Sequence, residues 1–487
     1  MSSSRLEIDL GAIERNLSVV RRITEPGPAA SSRPTKPHHV NICAVLKQDG
    51  YGAGAVRIAK RLVAQGVDMI GVYALEEART IAENVPHVHV LVLKPVYGID
   101  RNDPIYRHVI AGRVHLAVHG LEQFAAVSDV AARLGTQIPI HAQVDTGLSR
   151  GGTMPEESLQ LITKIVTSQR VRLAGLMTHF ASPCSDDAFT REQARRFRDF
   201  IESVRPAIKA GVEQGNRAVA RMGEMVVHAA NTLAMFRSRS YHGTMVRVGQ
   251  CLLGYAGADV KDREAFEFAE ELDNLEPSIR WVSSVVHVQE IPEGWPVGYG
   301  STWKAPKRND GRNTRIALIP VGYADGLPRH LGGGHPEHPG SVGPGWVGFT
   351  GRAYTPTVSE RATDSFLSPE TLYAPIVGRV SMDQITVDVT DIPESHLRLP
   401  RSAPTGNAEL GGSEVELYSR LPGARNFLPD LAATAGTITH DLLCRVSPRV
   451  ERVYKVTSLA AETAPQPATL PVVVRMPAVA ERLAVPA

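Results

Sequence analysis

Between about residues 40 and 260, short apolar runs alternate with helical patterns, and this alternation narrows the folds open to the chain more than any other feature. Candidate strands are Ile42–Lys47, Met69–Ala74, His89–Leu93, Val114–Val118, Ile140–Val144, Leu173–Thr178, Met225–His228 and Val246–Leu252. Amphipathic stretches such as Leu121–Leu134 and Asp187–Gly211 lie between them. Eight strands with crossover helices predict a (β/α)8 TIM barrel. In such a barrel the residues that end the strands gather on one face, where barrel enzymes place their chemistry. That rule selects Lys47, Asp145 to Arg150, His179, Asn231 to Thr232 and Arg247. It selects positions and no reaction, because the fold hosts many chemistries.

After about residue 275 the texture changes. Trp281–Ile291, Thr314–Val321, Tyr373–Thr390 and Glu414–Tyr418 are β-rich, with Gly and Pro turns, and predict a separate all-β domain. The expected division is a barrel domain over 1–275, a C-terminal β-strand-rich domain over 276–457, and an Ala/Pro-rich tail over 458–487. Pro328–Gly345 and Ser402–Gly412 read as insertions or loops. A chain of 487 residues suffices for two or three separate cores. Net charge is only +2, so no global field argues for nucleic acid or an anionic membrane. No apolar stretch reaches bilayer-spanning length, and the N-terminus lacks the apolar core of a signal peptide. The four cysteines, Cys43, Cys184, Cys251 and Cys444, form no CxxC pair and read as reduced thiols, which suits the cytoplasm.

Lys47 sits in the run Ile42-Cys43-Ala44-Val45-Leu46-Lys47-Gln48-Asp49-Gly50-Tyr51-Gly52. A lysine at the end of a barrel strand, facing a pocket, is well placed to form a Schiff base with a carbonyl cofactor. Tyr51 could reach the phosphate of the same cofactor. Taken singly, a lysine after a strand is an ordinary surface residue, and the longer run is what gives it weight.

The run resembles the pyridoxal-phosphate segment of the alanine racemase family. Further motifs carry that resemblance over about residues 5 to 455, in the family's order: Asp145-Thr146-Gly147-Leu148-Ser149-Arg150, Thr178-His179-Phe180, His228-Ala229-Ala230-Asn231-Thr232, Arg247-Val248-Gly249, Gly298-Tyr299-Gly300-Ser301-Thr302, Gly322-Tyr323-Ala324-Asp325-Gly326 and Gly378-Arg379-Val380-Ser381-Met382-Asp383. The resemblance implies pyridoxal 5′-phosphate as cofactor, held by Lys47, Tyr51, His179, Asn231, Thr232, Arg247 and Gly249. It implies that Arg150 approaches the cofactor's phenolic oxygen and the substrate carboxylate. Tyr323, Met382 and Asp383 would line the substrate pocket or its entrance. No metal is expected.

In the family, the arginine matched by Arg247 faces the pyridine nitrogen. A guanidinium can hydrogen-bond that nitrogen but does not give up its proton at neutral pH. Many enzymes of this cofactor place a carboxylate there and gain a stronger electron sink. An arginine should limit build-up of a delocalised carbanion, which suits a reaction that needs only brief loss of the α-proton. Racemisation needs a proton-transfer group on each face, and the resemblance makes these Lys47 and Tyr299. Free tyrosine titrates near about 10, so nearby cations must favour the phenolate. The resemblance supplies a chain from Tyr299 through His179 to Arg247 that could do so.

The family also builds each site from the barrel of one subunit and the β domain of its partner, so a homodimer with shared sites is implied. Two positions depart from the family pattern. Gln143 stands where many members have a lysine, often carbamylated, and its amide could still hydrogen-bond Arg150. Pro448 stands where several have a tyrosine, so some acceptance of side chains larger than methyl is expected. The expected function is an isomerase that interconverts L- and D-alanine and supplies D-alanine for peptidoglycan. The alternatives are an amino-acid racemase of broader specificity, a pyridoxal-phosphate-dependent decarboxylase, and a non-catalytic carrier of the cofactor.

Overall fold

The computed structural model describes residues 4–25, 40–213, 225–256, 260, 262–333, 345–354, 371–402, 409–410 and 412–457. The expected tail at 458–487 and parts of the expected insertions at 328–345 and 402–412 lie outside the described residues.

Strand β1 (Ser4–Asp9) and a helix, Leu10–Thr24, precede eight parallel strands: β2 (Asn41–Val45), β3 (Met69–Val72), β4 (His89–Val92), β5 (Val114–Val118), β6 (Ile138–Gln143), β7 (Val171–Met177), β8 (Val226–His228) and β9 (Met245–Val248). They hydrogen-bond in the order β8-β7-β6-β5-β4-β3-β2-β9. The seam is drawn together where Thr244 N donates to Val227 O at 2.8 Å and Arg247 N donates to Ala230 O at 2.9 Å. The result is a nearly closed barrel. β3 and β5 are buried at every residue, as continuous apolar runs must be when side chains fill the barrel on one face and meet helices on the other. The helices show the complementary pattern. Ala55–Ala64 buries Ala55, Ile58, Ala59 and Leu62, a single apolar stripe at helical spacing.

Six of the eight expected barrel strands end one to four residues early. β2 stops at Val45, two residues before Lys47. β9 stops at Val248, and after Gly249 the chain enters a 3-10 turn, Gln250–Leu253. The stretch Tyr373–Thr390 divides into Leu372–Val377 and Ile385–Asp388 around Gly378, whose φ is 70°.

The second unit is a nine-stranded sheet in the order His287–Ile291, Thr314–Ile319, Ile385–Asp388, Leu372–Val377, Trp346–Ala353, Ser413–Tyr418, Ile279–Ser284, β1, Glu451–Lys455. The expected barrel domain over 1–275 therefore needs correction, since β1 belongs to this sheet. β1 runs antiparallel to Ile279–Ser284 and parallel to Glu451–Lys455. Its sequence explains the placement. Leu6 and Ile8 enter the core, while Arg5 and Glu7 are buried among opposite charges. Arg5 pairs with Glu7 at 2.8 Å and Glu414 at 2.9 Å. Arg280 pairs with Glu7 at 3.3 Å, Glu414 at 2.8 Å and Glu416, and Lys455 reaches Glu7 at 3.1 Å. The Arg280, Arg5 and Lys455 charges outweigh burial and hold the Glu7 carboxyl down at about 2. Breaking such a network leaves buried charges uncompensated, so Arg280→Met should cost about 3–5 kcal/mol in urea unfolding. A loss below about 1 kcal/mol would show that the network does not hold β1 in place.

Candidate active site at the mouth of the barrel

A cavity of about 410 Å³ opens at the carboxyl ends of the strands, lined by Lys47, Tyr51, Arg150, His179, Asn231, Thr232, Arg247 and Gly249 among others. The structure thus brings together every barrel residue selected from the sequence for the cofactor or substrate. Tyr299, Tyr323, Met382 and Asp383 do not line this cavity.

Lys47 is presented by an unusual turn. Gln48, Asp49, Gly50 and Tyr51 all have positive φ (53°, 50°, 63° and 59°), a left-handed helical turn that costs non-glycine residues about 1–2 kcal/mol each. Its bonds hold it. Gly50 N donates to Leu46 O at 2.9 Å and Gly52 N to Gln48 O at 2.8 Å. Glu77 Oε1 accepts from Gln48 N at 2.5 Å, and Asp49 Oδ1 accepts from Ala55 N at 2.8 Å, starting the next helix. Two side chains of the strand Glu451–Lys455 complete the support. Arg452 Nε donates to Gly52 O at 3.0 Å, and Tyr454 Oη to Ala53 O at 3.1 Å. Partial burial, with Arg150 nearby, lowers the Lys47 pKa and increases its neutral fraction.

Across the cavity, Asn231 Oδ1 accepts from Ala234 N at 3.1 Å and caps the short helix Thr232–Arg237. Gly249 N lies 3.3 Å from Thr232 Oγ1. A Cβ at Gly249 would fall 2.1 Å from Tyr51 Oη, so only glycine lets the tyrosine approach this backbone. Tyr51, Thr232 and Gly249 thus form a compact set of hydrogen-bonding groups on one wall. The edge of His440, on the helix Thr439–Arg445, packs against Tyr51 with ring centroids 5.2 Å apart.

The Arg150 loop is folded by Asp145, whose Oδ1 accepts from Gly147 N at 2.8 Å, Leu148 N at 2.9 Å and Ser149 N at 3.2 Å. Gln143 was expected to reach the Arg150 side chain. Its Nε2 instead donates to Gly151 O at 2.8 Å, while His119 Nδ1 accepts from Gly152 N at 3.0 Å. The loop is therefore held through its backbone, and Arg150 itself is exposed at the cavity. His119 follows β5 directly, so the strand-end rule could have selected it. His440 comes from the other domain and carries no such signal.

Arg247 is almost wholly buried, and its terminal nitrogens are committed. Nη1 donates to His228 Nδ1 and His228 O, both at 2.9 Å. Nη2 donates to Thr178 O at 2.7 Å, with His179 Nδ1 at 3.0 Å and Ala229 O at 3.2 Å. Nε has no acceptor among the described residues. Burial lowers the guanidinium only to about 10, so it keeps its charge at neutral pH. Below it, His228 Nε2 meets His141 Nδ1 at 2.8 Å, and His141 Nε2 meets His115 Nδ1 at 2.9 Å.

These imidazoles are neutral for the same reason. Burial, reinforced by nearby Arg172 and Arg247, lowers His141 to about 3. Burial followed by the Arg247, Arg150 and Lys47 charges lowers His179 to about 3. Below the ordinary value of 6.5 the unfolded chain binds protons that the folded chain refuses, so stability falls as pH drops. The fully buried His141 alone should remove about 2 kcal/mol between pH 8 and pH 5. Urea midpoints at the two pH values measure this, and equal midpoints would contradict it.

Comparison with known proteins bears on the family of the chain. Residues 8–257 match the family model "Alanine racemase, N-terminal domain", and 278–344 with 354–454 match "Alanine racemase, C-terminal domain". An alanine racemase of Desulfovibrio desulfuricans is 30% identical over 451 residues, covering 92% of this chain and 97% of that protein. One of Methanococcus maripaludis is 28% identical over 450 residues, covering 92% and 97%. Among solved structures, alanine racemase from Streptomyces coelicolor A3(2) superposes with a TM-score of 0.68 at 25% identity, covering 93% of this chain and 98% of that one. Alanine racemase from Bartonella henselae with covalently bound pyridoxal phosphate gives a TM-score of 0.65 at 22% identity, covering 93% and 100%. With both family models matched across the barrel and the sheet, the chain belongs to the alanine racemase family.

Proposed function

We propose that the protein is an alanine racemase that holds pyridoxal 5′-phosphate in the barrel-mouth cavity and interconverts L- and D-alanine. The observation that carries this reading is one cavity containing both Lys47 and an arginine with a single uncommitted N–H, at Nε. The residues fit the cofactor. Tyr51, Thr232 and the Gly249 N–H suit a phosphate, Arg247 Nε suits a ring nitrogen that it cannot protonate, and Lys47 suits the aldehyde. Asn231 fixes the phosphate wall by capping its helix, and Arg150 is placed for the substrate carboxylate. When bound, the cofactor supplies the electron sink that acidifies the α-proton of the amino acid.

Lys47 Nζ, with its lowered pKa, moves a proton at one face of the α-carbon. The opposite face falls to Tyr299, which is 71% exposed here. Tyr323 N donates to Ser381 O and Ala324 N to Met382 O, both at 3.0 Å, and Arg449 bridges Asp325 and Asp383. Tyr323 and Met382 are also exposed large side chains, at 42% and 54%. Exposed Tyr299, Tyr323 and Met382, all off the wall of their own cavity, are the groups that this reading assigns to the cavity of a second copy in a homodimer. His179 accepts from Arg247 at Nδ1, so its proton sits on Nε2, where it could stabilise a phenolate at Tyr299 Oη.

Gln143 favours a wider substrate range as a second reading, because it binds backbone and leaves the Arg150 side chain without that clamp. The cytoplasm is the proposed location and peptidoglycan the proposed use of D-alanine. Among the described residues no helix is long and apolar enough to cross a membrane, and the four cysteines are free thiols.

Purified protein supplied with the cofactor should racemise L-alanine without releasing carbon dioxide, and should turn over serine or lysine detectably. Carbon dioxide release would favour a decarboxylase, and turnover of alanine alone would remove the wider range. Mixing inactive Lys47→Ala and Tyr299→Phe proteins tests the sharing of sites. Random reassociation should restore about a quarter of the wild-type activity, since half the dimers gain one intact site. No recovery after demonstrated subunit exchange would place Tyr299 in its own chain's site.

A further inference from the structure

Three strands each contribute one buried histidine to a file through the barrel interior, His228 from β8, His141 from β6 and His115 from β5, and His89 of β4 stands exposed at its end. The first three are joined in series to Arg247 by contacts of 2.9, 2.8 and 2.9 Å. The His89 ring stands edge-on to His115 at 5.0 Å. Space for the file is built into the sequence, because β7 places Gly175 beside His141. A Cβ there would fall 2.4 Å from His141 Nδ1.

Arg247 fixes the direction of the series. A guanidinium only donates, so His228 Nδ1 must accept and its proton must sit on Nε2. That N–H then donates to His141 Nδ1, which repeats the same tautomer, and His141 donates onward to His115 Nδ1. The series ends at His115 Nε2, which is buried and has no hydrogen-bond partner among the described residues. Running it backwards would set an N–H of His228 against an N–H of Arg247.

The charged and titratable groups around the file supply no anion to reverse it. Arg172 acts on His89, His115 and His141, Arg247 acts on His141 and His228, and Arg150 and the Cys43 thiol lie near Arg247. Burial pushes the Cys43 thiol up to about 12, so it stays neutral. Among the described residues no carboxylate pairs with Arg247.

We infer that His228, His141 and His115 are positioning residues that hold Arg247 through a one-way series of neutral imidazoles, leaving the guanidinium charge uncompensated beside the cofactor ring. This rests on the proposed placement of the ring nitrogen at Arg247 Nε. Neutral acceptors orient the guanidinium as firmly as a carboxylate would, but do not cancel its charge. An uncancelled cation disfavours a second positive charge on the ring nitrogen. The series therefore keeps the electron sink weak, in line with a reaction that returns the proton at once.

Two measurements test the inference. In holoenzyme labelled with 15N-histidine, the rings of His115, His141 and His228 should stay neutral in the Nε2–H form from pH 5.5 to 8. An imidazolium or an Nδ1–H form at any of the three overturns the one-way series. The same spectrum can be taken before cofactor is added, so failure of the cofactor reading shows separately as absence of bound cofactor. In the second measurement the probe is 15N-labelled pyridoxal phosphate. Its ring-nitrogen signal should report an unprotonated nitrogen in the wild type and in both His228→Asn and His228→Asp, and lie further downfield in His228→Asp, where a compensated guanidinium donates more weakly. Identical signals in the two variants would overturn the charge argument. Should either variant fail to fold, the tautomers of the wild type still decide.

Discussion

A cation buried without a carboxylate is the constraint on which this site depends. Arg247 lies at the mouth of the barrel with four of its N–H groups turned towards carbonyl oxygens and imidazole nitrogens. A buried charge survives only when its hydrogen bonds are satisfied. Neighbouring strand ends meet that requirement: Thr178 and His179 after β7, His228 and Ala229 at the end of β8. The strand register, the Ala230–Arg247 backbone bond at the seam and the neutrality of His179 and His228 all serve one side chain. Its orientation leaves a single N–H for the cavity.

The two units of the fold meet over the lysine turn. The left-handed path of Gln48 to Tyr51 is costly on its own, and the bonds that fix it come partly from the barrel, through Glu77, and partly from Arg452 and Tyr454 of the second sheet. That sheet is tied in turn to the first strand by the buried Arg5–Glu7–Arg280–Glu414 charges. Position 47 is thus held by both ends of the chain. Tyr299 lies off that sheet, in the 3-10 turn Tyr299–Ser301 between the strands Pro296–Val297 and Trp303–Lys304 of a separate two-stranded ribbon.

Much of this was legible in the sequence. The apolar alternation showed the barrel because parallel strands buried on both faces read as uninterrupted runs of Val, Ile and Leu. The rule that chemistry gathers at strand ends picked out Lys47, Arg150, His179, Asn231, Thr232 and Arg247, all of which line the cavity. Strand β1 escaped, because a six-residue strand that pairs with residues 279–284 and 451–455 leaves no local signature. His440 escaped for the same reason. The file of His115 and His141 was hidden because a single histidine within an apolar strand looks like any satisfied core residue. Only the barrel register aligns one from each strand. The bonding of Gln143 was misjudged because its amide lies in reach of a backbone carbonyl, which competes for it with the Arg150 side chain.

The central claim is that the ε-amine of Lys47 is the covalent anchor for pyridoxal phosphate in this cavity. Borohydride reduction of the cofactor-loaded protein, followed by proteolysis and mass spectrometry, reads that anchor directly. The account predicts a reduced pyridoxyl group on the peptide that contains Lys47 and on no other. A label on a different lysine, or none in protein that has taken up the cofactor, would contradict it.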